Sequence, residues 1–373
     1  MSTRLTLLSF SQLRSDARIL KQIELFRDDY RVTTVGYGEA PDGVADHVRI
    51  PDEAVAWRYD RALVVARQWR RAYATNPAIG AARAALTGST HEVVFANDID
   101  TAGLALELSP SKGIHLDLHE FAPLQHDEML RFRLFVAPFL RWQLRRFATR
   151  VDSTTTVGGE IARRYQREYG FLPEVVTNAA PYAELTPQPV APATLRIVHA
   201  GAALANRRLE VVLDAVDATP GAELDLYLTP NDAEVMTAIA RRARTNPRIR
   251  LHDPVPYREL ITTLNGYDLG VHILAPTNYN NRYALPNKLF DYVQARLGVI
   301  VGPSPEMAAV VRTHGVGVVT EDFTADALAR ALRDLTADRV TGYKAAAHAA
   351  ARALSAEEQI LPWRRAVESI AAR

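Results

Sequence analysis

The sequence contains no cysteine. Disulfides, zinc knuckles and thiol nucleophiles are therefore excluded, and the redox compartment leaves no trace in the chain. Lysine is scarce too: Lys21, Lys112, Lys288 and Lys344 are the only lysines among 44 basic residues. No apolar run reaches the ~18 residues that a membrane-spanning helix needs. The opening MSTRLTLLSFSQLRSD has a short apolar stretch and no small-residue cleavage site, so it reads as a first strand rather than a signal peptide. The expected location is cytoplasmic. A charge excess is also missing. The 44 basic residues meet 43 acidic ones, a net charge of +1, and each half of the chain is balanced in the same way. A broad nucleic-acid-binding face needs a basic surplus, so no nucleic-acid partner is expected.

What is present is ordinary globular composition: 373 residues, 48% hydrophobic and 23% charged. At ~100–200 residues per domain, two domains are expected. Short apolar runs alternate with amphipathic stretches. In the first half, residues 5–10, 30–38, 92–98, 113–121 and 152–159 read as strands. Ser15 is positioned to cap a helix over 16–26, a basic helix is expected over 57–74, and a further helix over 161–170. Residues 181–192 then carry four prolines (181, 187, 189 and 192), a linker signature. Beyond it the alternation restarts, with strands at 195–201, 223–229, 249–255, 268–274 and 298–303. Strand–helix alternation with β-branched strands implies parallel sheets covered by helices. The expected fold class is thus α/β: two Rossmann-like domains facing a central cleft. The boundaries expected are 1–183, 193–356 and a C-terminal helix, 357–373, returning to the first domain.

In such sheets, ligands meet the segments that follow the strands. The sharpest of these is Leu285-Pro286-Asn287-Lys288-Leu289-Phe290-Asp291-Tyr292. Pro286 suits a first helical turn, and Gly298 marks the end of the helix. Free N–H groups around Asn287 and Lys288 make an anion site. A lysine there opposes the helix dipole by ~0.3–1 kcal/mol unless an anion or a carboxylate lies close. Asp291, at i+3, is such a carboxylate, so a plain surface pair competes evenly with a ligand site. After the strand 195–201, Gly201 lets a backbone approach a ligand closely. Arg207 and Arg208 can reach a diphosphate, although in so arginine-rich a chain a solvated pair is a strong competitor. His119, in Asp117-Leu118-His119-Glu120, follows a strand of the first half. Asp98 and Asp100 stand at the metal-holding spacing of metal-dependent sugar transferases, but carboxylates this close are common and Asp100 can cap a helix. Residues 131–150 hold six arginines, five large aromatics and no acid. That pattern suits an anionic membrane surface, and it equally suits a core helix burying Phe135, Phe139, Trp142 and Phe147.

Taken together, these segments resemble the GT-B glycosyltransferases of the large retaining, family-4-like branch, which includes many bacterial polysaccharide enzymes. LDLHEF, VDSTTTVGGEIARRY, EVVTNAAP, RIVHAG with RRLEVVLDAV, and LPNKLFDYVQARLGVIVGPSPEM appear in the family's order across nearly the whole chain. The resemblance implies a transferase moving a hexose from a nucleotide-diphosphate sugar to a hydroxyl acceptor, with retention and without a metal or other cofactor. His119 would line the sugar pocket as the catalytic-site histidine. Gly201, Arg207, Arg208, Asn287 and Lys288 would hold the diphosphate, and Asp291 the ribose. Asp253, Val255 and Pro256 would meet the base, with Arg282 and Tyr283 on the sugar side. Two positions depart from the family: Ala202 replaces the loop arginine, and Tyr283 replaces the first glutamate of the paired-glutamate motif. The acceptor is a glycan, a lipid-linked glycan or a small molecule, and residues 131–150 would give contact with the inner membrane face. Two other readings stand beside this one: a non-catalytic partner protein that keeps the fold, supported by Ala202 and Tyr283, and a metal-dependent transferase using Asp98 and Asp100.

Overall fold

A computed structural model describes residues 2–373. The chain divides into two compact units. Unit 1 runs to Val176 and takes back Ile360–Arg373; unit 2 is Thr177–Gln359.

Unit 1 contains strands β1 (Arg4–Gln12), β2 (Arg31–Tyr37), β3 (Asp46–Arg49), β4 (Val93–Asn97), β5 (Gly113–Leu118), β6 (Ser153–Thr156) and β7 (Glu174–Val175). They form one sheet in the order β3-β2-β1-β4-β5-β6-β7, and every pairing is parallel. Alternation along β1 sends Leu5 and Leu7 into one apolar cluster and Leu8 into another, so both sheet faces are covered. The first cluster includes Trp363, Val367 and Ile370 of the C-terminal helix Leu361–Ala371. Trp363 is fully buried, and its indole N–H donates to Thr155 Oγ1 at 3.1 Å. Deleting a buried aromatic of this kind costs about 3–5 kcal/mol, which makes this helix integral to unit 1.

Some local readings of the sequence need correction. The helix Ala17–Phe26 is capped by Asp16, whose carboxylate accepts from the N–H groups of Arg18 and Ile19; the Ser15 hydroxyl instead donates to Gln12 O. The single basic helix expected over 57–74 is two short helices, Arg61–Val65 and Trp69–Ala74, separated at Arg67, whose φ of 56° no helix interior accommodates. Strand β3 is short and polar, and for that reason carries no legible apolar pattern.

Unit 2 contains β8 (Leu195–Ala202), β9 (Ala222–Thr229), β10 (Ile249–His252), β11 (Leu269–His272), β12 (Gly298–Val301) and β13 (Gly317–Val319), in the order β10-β9-β8-β11-β12-β13, again all parallel. The order reverses between β8 and β11, the place where a doubly wound sheet meets its ligand. Ile197 faces one core cluster, Val198 and Ala200 the other. The proline-bearing segment 181–192 lies within unit 2. It is tied down there by Arg296 donating to Ala183 O at 2.5 Å, Asn265 to Thr186 O at 3.0 Å and Arg196 to Pro189 O at 3.2 Å.

Candidate functional site

In unit 2, the strand end β8 and the helix Asn287–Gln294 bring Gly201 and Lys288 together. Gly201 has φ 142°, and a Cβ placed there would overlap Lys288 Nζ and Cε. That backbone angle strains any residue other than glycine, and the flexible end of Lys288 lies directly over it. Pro286 stands at the N-cap rather than in the first turn, and Asn287 is the exposed first helical residue. The helix ends at Gln294, well before Gly298. The residue that ends it is Arg296, at φ 61°, whose fully buried guanidinium covers the carbonyls of Val293 and Gln294 that the helix leaves open.

Lys288 is half-buried. Burial, and then the nearby Arg207, lower its pKa, while Asp291 acts in the opposite sense. No carboxylate among the described residues lies within ion-pair distance of its ammonium, so the simple Lys288–Asp291 surface pair is not formed. Asp291 is 5% exposed and accepts from the Tyr257 hydroxyl at 3.5 Å. Arg207 is half-buried and near enough for its charge to act on Lys288, whereas Arg208 is exposed, left-handed (φ 49°), and paired with Glu210 at 3.3 Å. The two sequence-adjacent arginines therefore part company at this turn. Asp253 and Pro256 are exposed and Val255 half-buried, just ahead of the helix Tyr257–Leu264, which packs on the helix carrying Lys288 and Asp291. Tyr283 packs its ring on Tyr279 at 4.7 Å, and the guanidinium of exposed Arg282 lies 5.6 Å from the Tyr283 ring. Residues to which the sequence assigned no role also join this neighbourhood. Tyr257 is one. His199 on β8 and His272 on β11, both buried, are the others.

In unit 1, His119 follows β5 and sits in a charged network. Its Nδ1 is 3.1 Å from Asp98 Oδ2, and its Nε2 is 3.3 Å from Asp117 Oδ2. Asp117 is fully buried. Arg18 grips both its oxygens, at 2.6 and 2.7 Å, and Thr155 donates to it at 2.7 Å. Asp98 takes φ 63°, unusual for a non-glycine residue, and there its Oδ1 accepts the His119 backbone N–H at 3.1 Å. Burial works against a charged His119 ring, but the Asp98 charge and the hydrogen bonds the ring donates to both carboxylates outweigh it and hold the pKa up to about 10. The ring is a cation at neutral pH. It suits fixed donation to an oxygen better than proton abstraction. Burial and the nearby Asp98 charge push Glu120 up to about 7, although His119 opposes them. The supposed metal pair is otherwise engaged: Asp98 on His119, and Asp100 on the Tyr59 hydroxyl at 2.7 Å. Neither the arginine at 18 nor the network it completes was legible, since Arg18 and Asp117 are 99 residues apart.

The stretch 131–150 divides. Phe139 is fully buried and Trp142 and Phe147 are partly so, whereas Phe135 is 37% exposed. The helical path runs on from a π-helical stretch, Phe132–Val136, into the α-helix Ala137–Arg146, and Pro138 sits where the one pattern gives way to the other.

No family model matches the chain, and no curated protein matches it. Among solved structures it is similar to the sucrose-phosphate synthase of Thermosynechococcus elongatus (TM-score 0.71, 14% identity, 99% of each chain covered). It is also similar to the E. coli trehalose-6-phosphate protein bound with UDP-2-fluoro glucose (TM-score 0.69, 12% identity, 99% of each chain). A third is Anabaena HepE in complex with UDP and glucose (TM-score 0.63, 12% identity, 98% of this chain and 100% of that one). The chain has the GT-B fold of these proteins, with a seven-stranded and a six-stranded parallel sheet.

Proposed function

We propose that the protein is a glycosyltransferase of the retaining, family-4-like type that moves a hexose from a nucleotide-diphosphate sugar to a hydroxyl acceptor. The observation that carries this reading is the apposition of Gly201 and Lys288: a half-buried ammonium, without a carboxylate partner among the described residues, at a helix N-terminus against a glycine backbone. Departure of a diphosphate builds negative charge, and Lys288, Arg207 and the N–H groups at Asn287 and Lys288 would stabilise it without a metal. Arg208 is the weaker member of the set, since Glu210 already occupies it. Asp291, with the Tyr257 hydroxyl, would hold the ribose, and the turn of Asp253, Val255 and Pro256 would meet the base. Arg282 and Tyr283 would lie on the sugar side. His119, fixed as a cation, would donate to a sugar hydroxyl near the reacting carbon. The nucleotide-bound state of two proteins of this fold supports a nucleotide-sugar partner. The acceptor is a glycan, a lipid-linked glycan or a small molecule, in line with polysaccharide biosynthesis at the inner membrane face of the cytoplasm.

A panel of nucleotide-diphosphate sugars in a thermal-shift assay, with and without chelator, tests this. A donor at a hundred times its dissociation constant stabilises by about 2.7 kcal/mol, and chelator should change nothing. A flat panel would contradict the reading; a shift that needs a divalent ion would contradict its metal-free part.

A further inference from the structure

Two imidazoles lie beside the Gly201–Lys288 apposition, and the reading above gives neither a task. His199 is on β8 and His272 ends β11, the strand pair at which the sheet order reverses. Their ring centroids are 5.9 Å apart, with planes inclined by 27°. His199 Nδ1 is 2.9 Å from Val271 O. A carbonyl can only accept, so Nδ1 carries the proton and Nε2 of the neutral ring is a bare lone pair. The same carbonyl accepts the Tyr292 hydroxyl at 3.2 Å, which fills its second lone pair and fixes the arrangement. Nε2 of His199 is buried without a partner among the described residues, and so is Nε2 of His272. A buried acceptor left in this state is unfavourable until a proton or a donor arrives.

The charged and titratable groups that face the pair are Lys288, from the helix Asn287–Gln294, and Arg207, from the turn after β8; His199 also acts on His272. All are cations or potential cations. Burial first, and this positive field second, keep both rings neutral, with His199 pushed down to about 3.

We propose that the His199–His272 pair forms the floor of the diphosphate site and takes up one proton, at Nε2 of His199, when a nucleoside-diphosphate sugar binds. The proposal rests on the donor reading given above. A bound diphosphate would bring negative charge beside Lys288 and Arg207 and cancel the field that keeps the pair neutral. The new N–H would then have an anionic acceptor. No covalent bond other than N–H changes, and the proton comes from solvent. Two imidazolium ions could not coexist this close together with Lys288 beside them, so uptake stops at one. The sign follows: binding tightens as pH falls, because the complex holds a proton that the free protein does not.

The test is titration calorimetry with UDP-glucose, GDP-mannose and ADP-glucose, whose diphosphate diesters do not titrate between about pH 6 and 8. Each titration is run in PIPES and in Tris, which differ in protonation enthalpy. The wild-type protein should show a binding enthalpy that differs between the buffers by the equivalent of about one proton, and a Kd that rises with pH by up to about tenfold per unit. His199→Asn keeps an N–H for Val271 O but cannot titrate. It should abolish the buffer dependence and bind about tenfold more weakly near the acid end of the range, converging on wild type at the alkaline end. Equal enthalpies in both buffers with a pH-independent Kd in the wild type would overturn the proposal while leaving the donor reading intact, and this arm needs no variant. Uptake that persists in both His199→Asn and His272→Asn would overturn the assignment to the pair. Binding of none of the three sugars would overturn the donor reading, and this proposal with it.

Discussion

His119 is held by two carboxylates of different character. Asp117 is fully buried and already neutralised by Arg18, whereas the Asp98 side chain is 47% exposed. The two are therefore not equivalent targets. Removing Asp117 would strand the Arg18 charge in the interior, a cost of about 3–5 kcal/mol in stability, and would confuse folding with function. Removing His119 leaves Asp117 paired with Arg18, and Asp98 within reach of water. His119→Ala should accordingly fold, keep its affinity for a nucleotide-diphosphate sugar, and lose turnover by about 10²-fold or more, the usual scale for a positioned donor at a reacting centre. Steady-state kinetics beside calorimetric donor binding would check this. Unchanged kcat would make His119 a structural residue that closes the Asp98–Asp117 network. The histidine itself was legible in the sequence from its place after a strand. Its charge state was not, because that depends on Asp98 taking a left-handed backbone 21 residues earlier in the chain.

At the scale of elements, sequence periodicity located the long parallel strands, whose β-branched runs are buried on both faces. It did not locate what depends on single left-handed residues or on short polar stretches. Arg67 splits a helix, Arg296 ends another, and β3 pairs through its backbone with little apolar patterning. The segment 129–136 shows the same limit. Composition alone could not choose between core and surface, and the structure divides it: Phe132 is buried, whereas Met129, Leu130, Leu134, Phe135 and Val136 are exposed around Arg131 and Arg133. Five large apolar side chains exposed within eight residues, with two arginines among them and more along the following helix, make a surface suited to anionic lipid. Flotation with vesicles containing phosphatidylglycerol should recover the protein at low salt, and vesicles of phosphatidylcholine alone should not. At about 1 kcal/mol per arginine near such a surface, raising the salt should release it. Leu134→Ser with Phe135→Ser should lose the lipid and keep the donor. Failure of the wild type to float at low salt would leave these side chains without that role.

On the scale of the whole molecule, two separately built parallel-sheet units were legible because the strand–helix alternation stops at a cluster of prolines and then restarts. The place of that cluster was less legible. Its prolines cannot donate to a sheet, but the carbonyls of the segment still accept from Arg196, Asn265 and Arg296, which bind it into unit 2. The same division governs the candidate site. Gly201 and Lys288 were each visible as residues of the right type after a strand or at a helix start. That they meet, that Arg207 acts on Lys288 while Arg208 pairs with Glu210, and that two imidazoles whose Nε2 atoms have no partner among the described residues lie beside them follows only from the order in which unit 2 lays β8 against β11.

Binding of a sugar donor's diphosphate at this meeting point is tested most directly by calorimetric titration of wild type, Lys288→Ala and Asp291→Asn with the donor found in the panel. Loss of a hydrogen bond to a charged group predicts that Lys288→Ala weakens binding by about 1.5–3 kcal/mol. Asp291→Asn should weaken the nucleotide without unfolding the protein. Donor affinities equal to wild type in both variants would contradict the account.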